Sequence, residues 1–171
     1  MMNYCMDCGT KLINKYLDKE GMVPYCETCG KYCFPIFNAA VSMIIYDTTK
    51  DRILLIKQYG NPAYILVAGY INRGENAEDA VRREIMEEVG LHVDKITFNK
   101  SSFFEPSNTL MLNFVCYASH TENLTANDEV DSWEWFSLDK VRESIKPNSL
   151  AKEFLCAYLD KEFKKTSSSI K

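Results

Sequence analysis

The chain has 171 residues, of which 46% are hydrophobic, with 5 prolines, so it can form one ordinary globular core with a small appendage and does not have the composition of a disordered protein. Its formal net charge of −4 gives no sign of a nucleic-acid or membrane surface. The start MMNYCMDCGTKL lacks the apolar core of a signal peptide, and no stretch is as apolar as a membrane span. We therefore expect a cytoplasmic protein with no membrane partner, in which the 7 cysteines are metal ligands or thiols.

Residues 1–35 are polar, poor in aliphatic runs, and contain two CxxC pairs, each followed by glycine. The paired residues are Cys5, Cys8, Cys26 and Cys29. Four thiolates at this spacing can close a tetrahedral zinc site, which leaves no position open for catalysis. Unbound thiols or a redox CxxC are the alternatives. We predict a zinc ribbon over residues 1–35 in which Zn²⁺ is structural and folding depends on the metal.

Residues 36–165 are predicted to form a second domain, followed by a frayed tail at 166–171. The dense apolar runs AAVSMIIYD and RILLIKQY, separated by the turn DTTKD, predict a hairpin over residues 39–59. A loop at GNP is expected to lead into a short strand at residues 64–67.

The clearest predicted helix lies between Asn76, a suitable N-cap, and Gly90, which stands where a helix can end in a left-handed residue. Its apolar residues recur at helical spacing and predict one buried face. Those residues are Ala77, Ala80, Val81, Ile85 and Val89. Acidic residues near the helix C-terminus are disfavoured by the macrodipole, so a compensating cation is expected there.

Three further strands are predicted in KITFNKSSFFE, TLMLNFVCYAS and SWEWFSL. A short helix capped by Ser137 and a closing helix over 149–165 are expected after them. Mixed strands with helices before and after them indicate an α/β or α+β sandwich, with the topology left open.

Three carboxylates cluster on the predicted helix. Glu84 and Glu88 are one turn apart, about 40° around the axis, with Glu87 adjacent. Arg83 can pair with Glu87 and leave the other two free. The ordinary alternative is a solvated acidic face. Hard oxygen ligands in such a cluster suit Mg²⁺ or Mn²⁺, which in turn suit phosphate chemistry.

The segment GYINRGENAEDAVRREIMEEVGL resembles the Nudix box, G-x5-E-x7-R-E-U-x-E-E-x-G-U with U aliphatic. Its defined positions are filled by Gly69, Glu75, Arg83, Glu84, Ile85, Glu87, Glu88, Gly90 and Leu91. The resemblance implies a Nudix-type mixed β-sheet sandwiched between helices, and hydrolysis of a nucleoside diphosphate linked to another group. It also implies a site for Mg²⁺ or Mn²⁺ held by Glu84, Glu87, Glu88 and the Gly69 carbonyl. Outside the box, Glu129 in NDEVDSWEWF falls where the NADH pyrophosphatase branch of the family has a glutamate that is similar to a further metal ligand; a solvated loop glutamate is the alternative. Within that site Glu87 is the candidate general base, and Arg83 would orient the cluster.

A zinc ribbon directly before such a domain resembles the NADH pyrophosphatase branch of this family. VAGY is similar to that branch's LAGF, so Tyr70 would stack on a base or nicotinamide ring; a core aromatic is the alternative. The stretch SSFFEPSNTLM is similar in part to the branch signature S-Q-P-W-P-F-P-x-S followed by Leu-Met, but it lacks the glutamine and the aligned prolines. The substrate-binding residues implied by the resemblance are Tyr70, Ser101, Phe104, Thr109 and Met111.

The function that the resemblance implies is hydrolysis of NADH or NAD⁺ to a nicotinamide mononucleotide and AMP. ADP-ribose, FAD, an ADP-sugar and the NAD cap of RNA are alternative substrates with a similar pyrophosphate. A nucleotide- or RNA-binding module is the alternative outside the enzymes, and the intact carboxylate set argues against it. The expected partners are thus a small dinucleotide, nucleic acid only as NAD-capped RNA, and a second copy of the chain, because members of the branch form homodimers.

Overall fold

The computed structural model describes residues 3–168, with side chains described up to residue 164. The chain divides into two compact units, Met1–Phe37 and Asn38–Lys171, close to the predicted domain boundary at residues 35/36. Among the described residues, no helix is long and apolar enough to cross a membrane.

The N-terminal unit is a small antiparallel sheet. Its strands are β1 (Ile13–Leu17), β2 (Gly21–Cys26) and β3 (Lys31–Tyr32), in the spatial order β1-β2-β3. Its buried hydrophobic cluster consists of Cys5, Cys26 and Cys33, with Leu12 packed against them. So small a cluster buries little apolar area, which agrees with the prediction that the folding of this unit depends on a metal.

The second unit is built on one mixed sheet of six strands. These are β4 (Asn38–Tyr46), β5 (Arg52–Gln58), β6 (Val67–Tyr70), β7 (His92–Phe104), β8 (Thr109–Ser119) and β9 (Val130–Ser137). The order is β7-β8-β4-β5-β9, with β6 paired to β4. The pair β4–β8 is parallel and the others are antiparallel, so the predicted hairpin over residues 39–59 is confirmed within a mixed sheet.

Helices cover both faces of this sheet, as the predicted fold class requires. They are α1 (Ala77–Val89), α2 (Val141–Ser144) and α3 (Leu150–Ser168). Alternate residues of β4 and β5 point to opposite faces. Val41, Met43, Ile45, Leu54 and Ile56 pack with the apolar face of α1. Ile44, Tyr46, Ile53 and Leu55 pack with α2 and α3.

The boundaries of α1 agree with the sequence prediction. The Asn76 side chain accepts a hydrogen bond of 2.9 Å from the Asp79 amide, as an N-cap does. Gly90 ends the helix at φ 65°, and its amide donates to the Met86 carbonyl. The helix therefore presents a fixed set of side chains between two capped ends.

Three local predictions differ from the structure. The short strand lies at Val67–Tyr70 rather than 64–67, because its backbone pairs with β4, whereas Tyr64 and Ile65 form only isolated bridges. Ser137 ends β9 and does not cap α2, whose N-cap is Lys140 without a side-chain bond. No glycine or proline interrupts the end of α3, which reaches Ser168, so part of the predicted frayed tail is helical and residues 169–171 lie outside the described residues.

Candidate active site

Arg83 is the hub of the acidic cluster on α1. Its guanidinium forms a fork with Glu75, with Nε–Oε1 and Nη2–Oε2 distances of 2.8 Å. Nη2 also donates to the Tyr70 carbonyl at 2.9 Å. Nη1 donates to Glu84 Oε1 at 2.7 Å and to Glu87 Oε2 at 3.0 Å. The guanidinium of Arg83 thus holds the loop before the helix and two carboxylates on the helix.

The predicted pairing of Arg83 with Glu87 is present, but the structure adds two partners. The bidentate partner is Glu75, and these hydrogen bonds from Arg83 hold the pKa of Glu75 down at about 2. Glu84 is held as well, so the prediction that Arg83 leaves it free is wrong. The reason is that the Arg83 side chain is long and bends back over the helix. Its Nη1 therefore reaches both Glu84, the next residue, and Glu87, one turn further along α1.

Gly69 lies directly against Glu84. A Cβ atom at position 69 would overlap the Glu84 carboxylate, far inside van der Waals contact. β6 therefore carries glycine here because the carboxylate of α1 occupies the space that a side chain would need. This contact fixes Glu84 against the strand.

Glu88 is the buried carboxylate of the cluster, with 4% of its surface exposed. Its Oε2 accepts a hydrogen bond of 2.8 Å from Gln58 Nε2. Burial, followed by the charges of Glu84 and Glu129, raises the pKa of Glu88 to about 8. Carboxylates crowded in this way favour a bound cation, because it would offset both the burial and the repulsion.

Glu129 comes from the loop before β9 and faces the same cavity as the helix carboxylates. Tyr59 donates its hydroxyl to Glu129 Oε2 at 2.7 Å, and this hydrogen bond raises the pKa of Tyr59 to about 12. The Glu129 amide donates to Asn127 Oδ1 at 3.0 Å, which shapes the loop. A residue distant in sequence thereby joins the cluster on α1.

A cavity of about 730 Å³ lies in front of these carboxylates. The predicted residues that line it are Gly69, Tyr70, Glu84, Glu87, Glu88, Phe104, Thr109, Met111 and Glu129. Tyr70 is 55% exposed and Phe104 39%, so neither is a core aromatic. Thr109 is buried, and its hydroxyl bonds to Ser107. Ser101 is not among the described residues that line the cavity; it is exposed in β7, paired with Leu112.

Several lining residues were not predicted from the sequence. They include Gln58, Tyr59, Asn127, Lys146 and Asn148. Gln58 and Tyr59 are the last two residues of the predicted strand RILLIKQY, and the others lie in loops, so only their tertiary position brings them to the carboxylates. Lys146 is the only lysine or arginine among the described lining residues, which gives the acidic cavity one positive side chain.

The donor set fits a hard divalent cation, since it consists of carboxylate oxygens. Among the described residues, no three of these carboxylates have oxygens that all lie within 4.8 Å of one another. Hydrogen bonds hold one oxygen of each of Glu84, Glu87, Glu88 and Glu129. Small side-chain rotations would therefore have to accompany cation binding.

The four cysteines of the N-terminal unit do converge, with all sulfurs within 4.8 Å of one another. The Sγ–Sγ distance is 3.9 Å between Cys5 and Cys29 and 3.5 Å between Cys8 and Cys26. A tetrahedral centre with Zn–S bonds of about 2.3 Å places its sulfurs about 3.8 Å apart. The cluster is thus compatible with a closed structural zinc site.

Comparison with known proteins agrees with this geometry. A protein of Pseudomonas aeruginosa called NAD-capped RNA hydrolase NudC is 31% identical over 158 residues, covering 91% of this chain and 55% of that protein. Nudix hydrolase 19, chloroplastic, of Arabidopsis thaliana is 32% identical over 151 residues, covering 83% of this chain and 34% of that protein. This chain spans about half the length of the first of these relatives and about a third of the second.

A solved structure has a similar fold. A Nudix hydrolase from Nitrosomonas europaea superposes with a TM-score of 0.70 at 17% identity, over 95% of this chain and 93% of that one. The NUDIX domain model matches residues 36–158, which include the strands and helices around the carboxylate cluster. The chain therefore belongs to the Nudix family.

Proposed function

We propose that the chain hydrolyses the pyrophosphate bond of a nicotinamide dinucleotide, NADH or NAD⁺, to a nicotinamide mononucleotide and AMP. The observation that carries this proposal is the convergence of Glu84, Glu87, Glu88 and Glu129 on one cavity. The exposed aromatic rings of Tyr70 and Phe104 line the same cavity. The carboxylates suit a pyrophosphate bound with a cation, and the rings suit a flat base.

The carboxylates of the cavity have two proposed roles, cation binding and proton abstraction. Glu84, Glu88, Glu129 and the Gly69 carbonyl would hold Mg²⁺ or Mn²⁺, with Glu87 as a further ligand. When bound, that cation supplies positive charge for the phosphoryl oxygens and lowers the pKa of the attacking water. Glu87 is the proposed base: its side chain is half-exposed, and Arg83 holds only its Oε2 by hydrogen bond. The water oxygen bonds to one phosphorus, and the bridging oxygen leaves with the other phosphate.

Tyr70 and Phe104 are proposed to stack on a base or on the nicotinamide ring. Tyr70 stands on β6 and Phe104 at the end of β7, and both line the cavity. Thr109 and Met111 line the same wall from the start of β8. Ser101 is the weakest of the proposed substrate residues, since it would reach a ligand only if the ligand extended beyond the cavity.

NAD-capped RNA is the second candidate substrate, because the P. aeruginosa relative is called an NAD-capped RNA hydrolase. It presents the same pyrophosphate and nicotinamide as the free dinucleotide. Whether the protein accepts NAD-capped RNA as well as the free dinucleotide depends on whether the RNA beyond the adenosine fits outside the cavity.

A substrate panel tests the proposal: NADH, NAD⁺, ADP-ribose, FAD and NAD-capped RNA, each with Mg²⁺ and with Mn²⁺. We expect the nicotinamide dinucleotides or the capped RNA to have the highest kcat/KM, with nicotinamide mononucleotide among the products. Glu84→Gln should lower turnover by at least about 100-fold and leave the thermal melt unchanged. A preference for ADP-ribose over NADH would overturn the substrate, and near wild-type activity of Glu84→Gln would overturn the cation site.

Three further properties are proposed with this function. The four-cysteine cluster holds structural Zn²⁺, which its sulfur spacing supports. The protein acts in the cytoplasm, where thiols stay reduced. Two copies pair, as the resemblance to the NADH pyrophosphatase branch implies; light scattering during size-exclusion chromatography would show one chain mass or two.

A further inference from the structure

Two consecutive residues, Gln58 and Tyr59, each hold one carboxylate of the cavity. Gln58 Nε2 donates to Glu88 Oε2 at 2.8 Å, and the Tyr59 hydroxyl donates to Glu129 Oε2 at 2.7 Å. Both residues line the cavity with the carboxylates that they bind. Neither belongs to the box motif on α1.

The backbone explains how neighbouring side chains reach one cavity. In a regular strand they would point to opposite faces. Here the pairing of β5 with β9 steps from Lys57–Ser132 to Gln58–Val130, which leaves Asp131 as an extra residue in a β-bulge. Tyr59 then adopts φ 53°, a left-handed conformation that is uncommon for a bulky residue. This left-handed turn, directly after β5 ends at Gln58, breaks the alternation, and both side chains line the cavity.

The bulge residue itself supports this geometry. The Gly60 amide donates to Asp131 Oδ2 at 2.7 Å, which fastens the chain directly after Tyr59. A left-handed tyrosine that is 74% exposed gains little from packing. Its unusual conformation is therefore compensated mainly by the hydrogen bonds made here, and the one made by its own side chain ends on Glu129.

The chemistry of these donors differs from that of Arg83. Arg83 neutralises Glu84 and Glu87 as it holds them, whereas an amide and a phenol donate without adding positive charge. Glu88 and Glu129 are thus each held through Oε2 by a neutral donor, which leaves the Oε1 atom of each for a cation. This is what a ligand to a cation needs: a side chain restrained near one rotamer, so that only a small rotation is left for cation binding, and an oxygen that faces the cation.

Building on the proposed function, we propose that Gln58 and Tyr59 are positioning residues that present Glu88 and Glu129 to the divalent cation. Tyr59 is the more important of the two. Glu129 stands in an exposed loop, where its side chain would otherwise sample several rotamers, while Glu88 is already confined by burial in α1. Loss of the Tyr59 hydroxyl should therefore weaken cation binding more than it slows the chemical step.

The test is Tyr59→Phe, which removes one hydroxyl and keeps the ring. We expect the Kd for Mn²⁺, measured by calorimetry on the full chain without substrate, to rise about 10-fold. At saturating Mn²⁺ kcat should stay within about twofold of wild type, and the melting temperature should not change. Gln58→Met, which removes the amide donor, should raise the same Kd by a smaller factor.

The chain provides a matched control in Tyr64→Phe. The Tyr64 hydroxyl donates to Glu134 Oε2 at 3.0 Å, and neither residue is among the described residues that line the cavity. The Kd of the Tyr64→Phe variant for Mn²⁺ should equal that of wild type. An unchanged Kd in Tyr59→Phe, or an equal rise in both tyrosine variants, would overturn the proposal. Because this readout needs no substrate, it is separate from the hydrolysis assays, whose failure would instead count against the proposed function.

Discussion

At the scale of single residues, the tightest constraint in the site is the approach of Gly69 to Glu84. We predict that Gly69→Ala lowers kcat/KM by about 100-fold, because the added methyl group displaces the Glu84 carboxylate, and misplacement by about 1 Å can cost that much. Steady-state kinetics at saturating Mg²⁺, together with a thermal melt, would measure this change.

The neighbouring Ala68 provides the control for that substitution. It lines the same cavity one residue earlier on β6, so Ala68→Gly changes the strand by one methyl group without crowding Glu84. It should keep kcat/KM within a few-fold of wild type. Equal losses in both variants would mean that the strand, not the carboxylate contact, is sensitive.

At the scale of elements, the hairpin of β4 and β5 depends on the buried carboxylate of Asp47. It accepts from Thr49 Oγ1 at 2.9 Å and from Arg52 Nε at 2.7 Å, among other donors. Burial raises the pKa of Asp47, but the hydrogen bonds from Arg52 and Thr49 outweigh it, so the pKa lies below its ordinary value. The ionised form therefore stabilises the fold.

We predict that Asp47→Asn lowers the free energy of unfolding by about 1–3 kcal/mol at pH 7. A lowered pKa gives stability that is present above the ordinary pKa and is lost as the pH falls through the folded value. The difference between wild type and variant should thus shrink below about pH 4. Urea unfolding at several pH values measures it.

Asp51→Asn is the control for this prediction, because Asp51 is exposed in the same turn. Its effect on the unfolding free energy should stay within about 0.5 kcal/mol at every pH. A pH-independent loss of stability in Asp47→Asn would show that the effect comes from shape rather than from charge.

At the scale of the whole molecule, the two compact units have separate hydrophobic clusters. We predict that Cys26→Ser abolishes zinc binding and the fold of the N-terminal unit, since that unit has little core without the metal. The second unit should keep its own cooperative unfolding transition. Elemental analysis for zinc and hydrogen exchange resolved by peptide would measure both effects.

Cys156→Ser is the matched control, because Cys156 is a partly buried residue of α3 in the other unit. It should retain one zinc per chain and the exchange protection of the N-terminal unit. Stoichiometric zinc in Cys26→Ser would contradict the assignment of that cysteine as a ligand.

Much of the fold could be predicted from local sequence. Asn76 and Gly90 mark the ends of α1 because capping depends on residues within one turn. The strands of the hairpin follow from dense apolar runs. The position of β6 could not be predicted, because a strand of four residues is defined by its pairing with β4 rather than by its own composition.

The same distinction applies to the site. The spacing of Glu84, Glu87 and Glu88 could be read directly, since helical geometry places them together. The partners of Arg83 could be predicted only in part: Glu87 follows from the helical repeat, whereas the bidentate bond to Glu75 depends on the path of the loop. No local signal predicted Gln58 or Tyr59. Their directions depend on where β5 ends and on the turn that the Gly60–Asp131 hydrogen bond fastens to β9.

The sequence by itself determined the helix with its carboxylates, the two CxxC pairs and the family to which the chain belongs, because each is encoded over a short span with a fixed repeat. The tertiary structure decided which residues complete the site. Gln58, Tyr59 and Lys146 reach the cavity from a strand end and loops, and Ser101 does not line it, although it was predicted to contact substrate. The physical reason is that strand register and loop path depend on contacts between residues far apart in the chain.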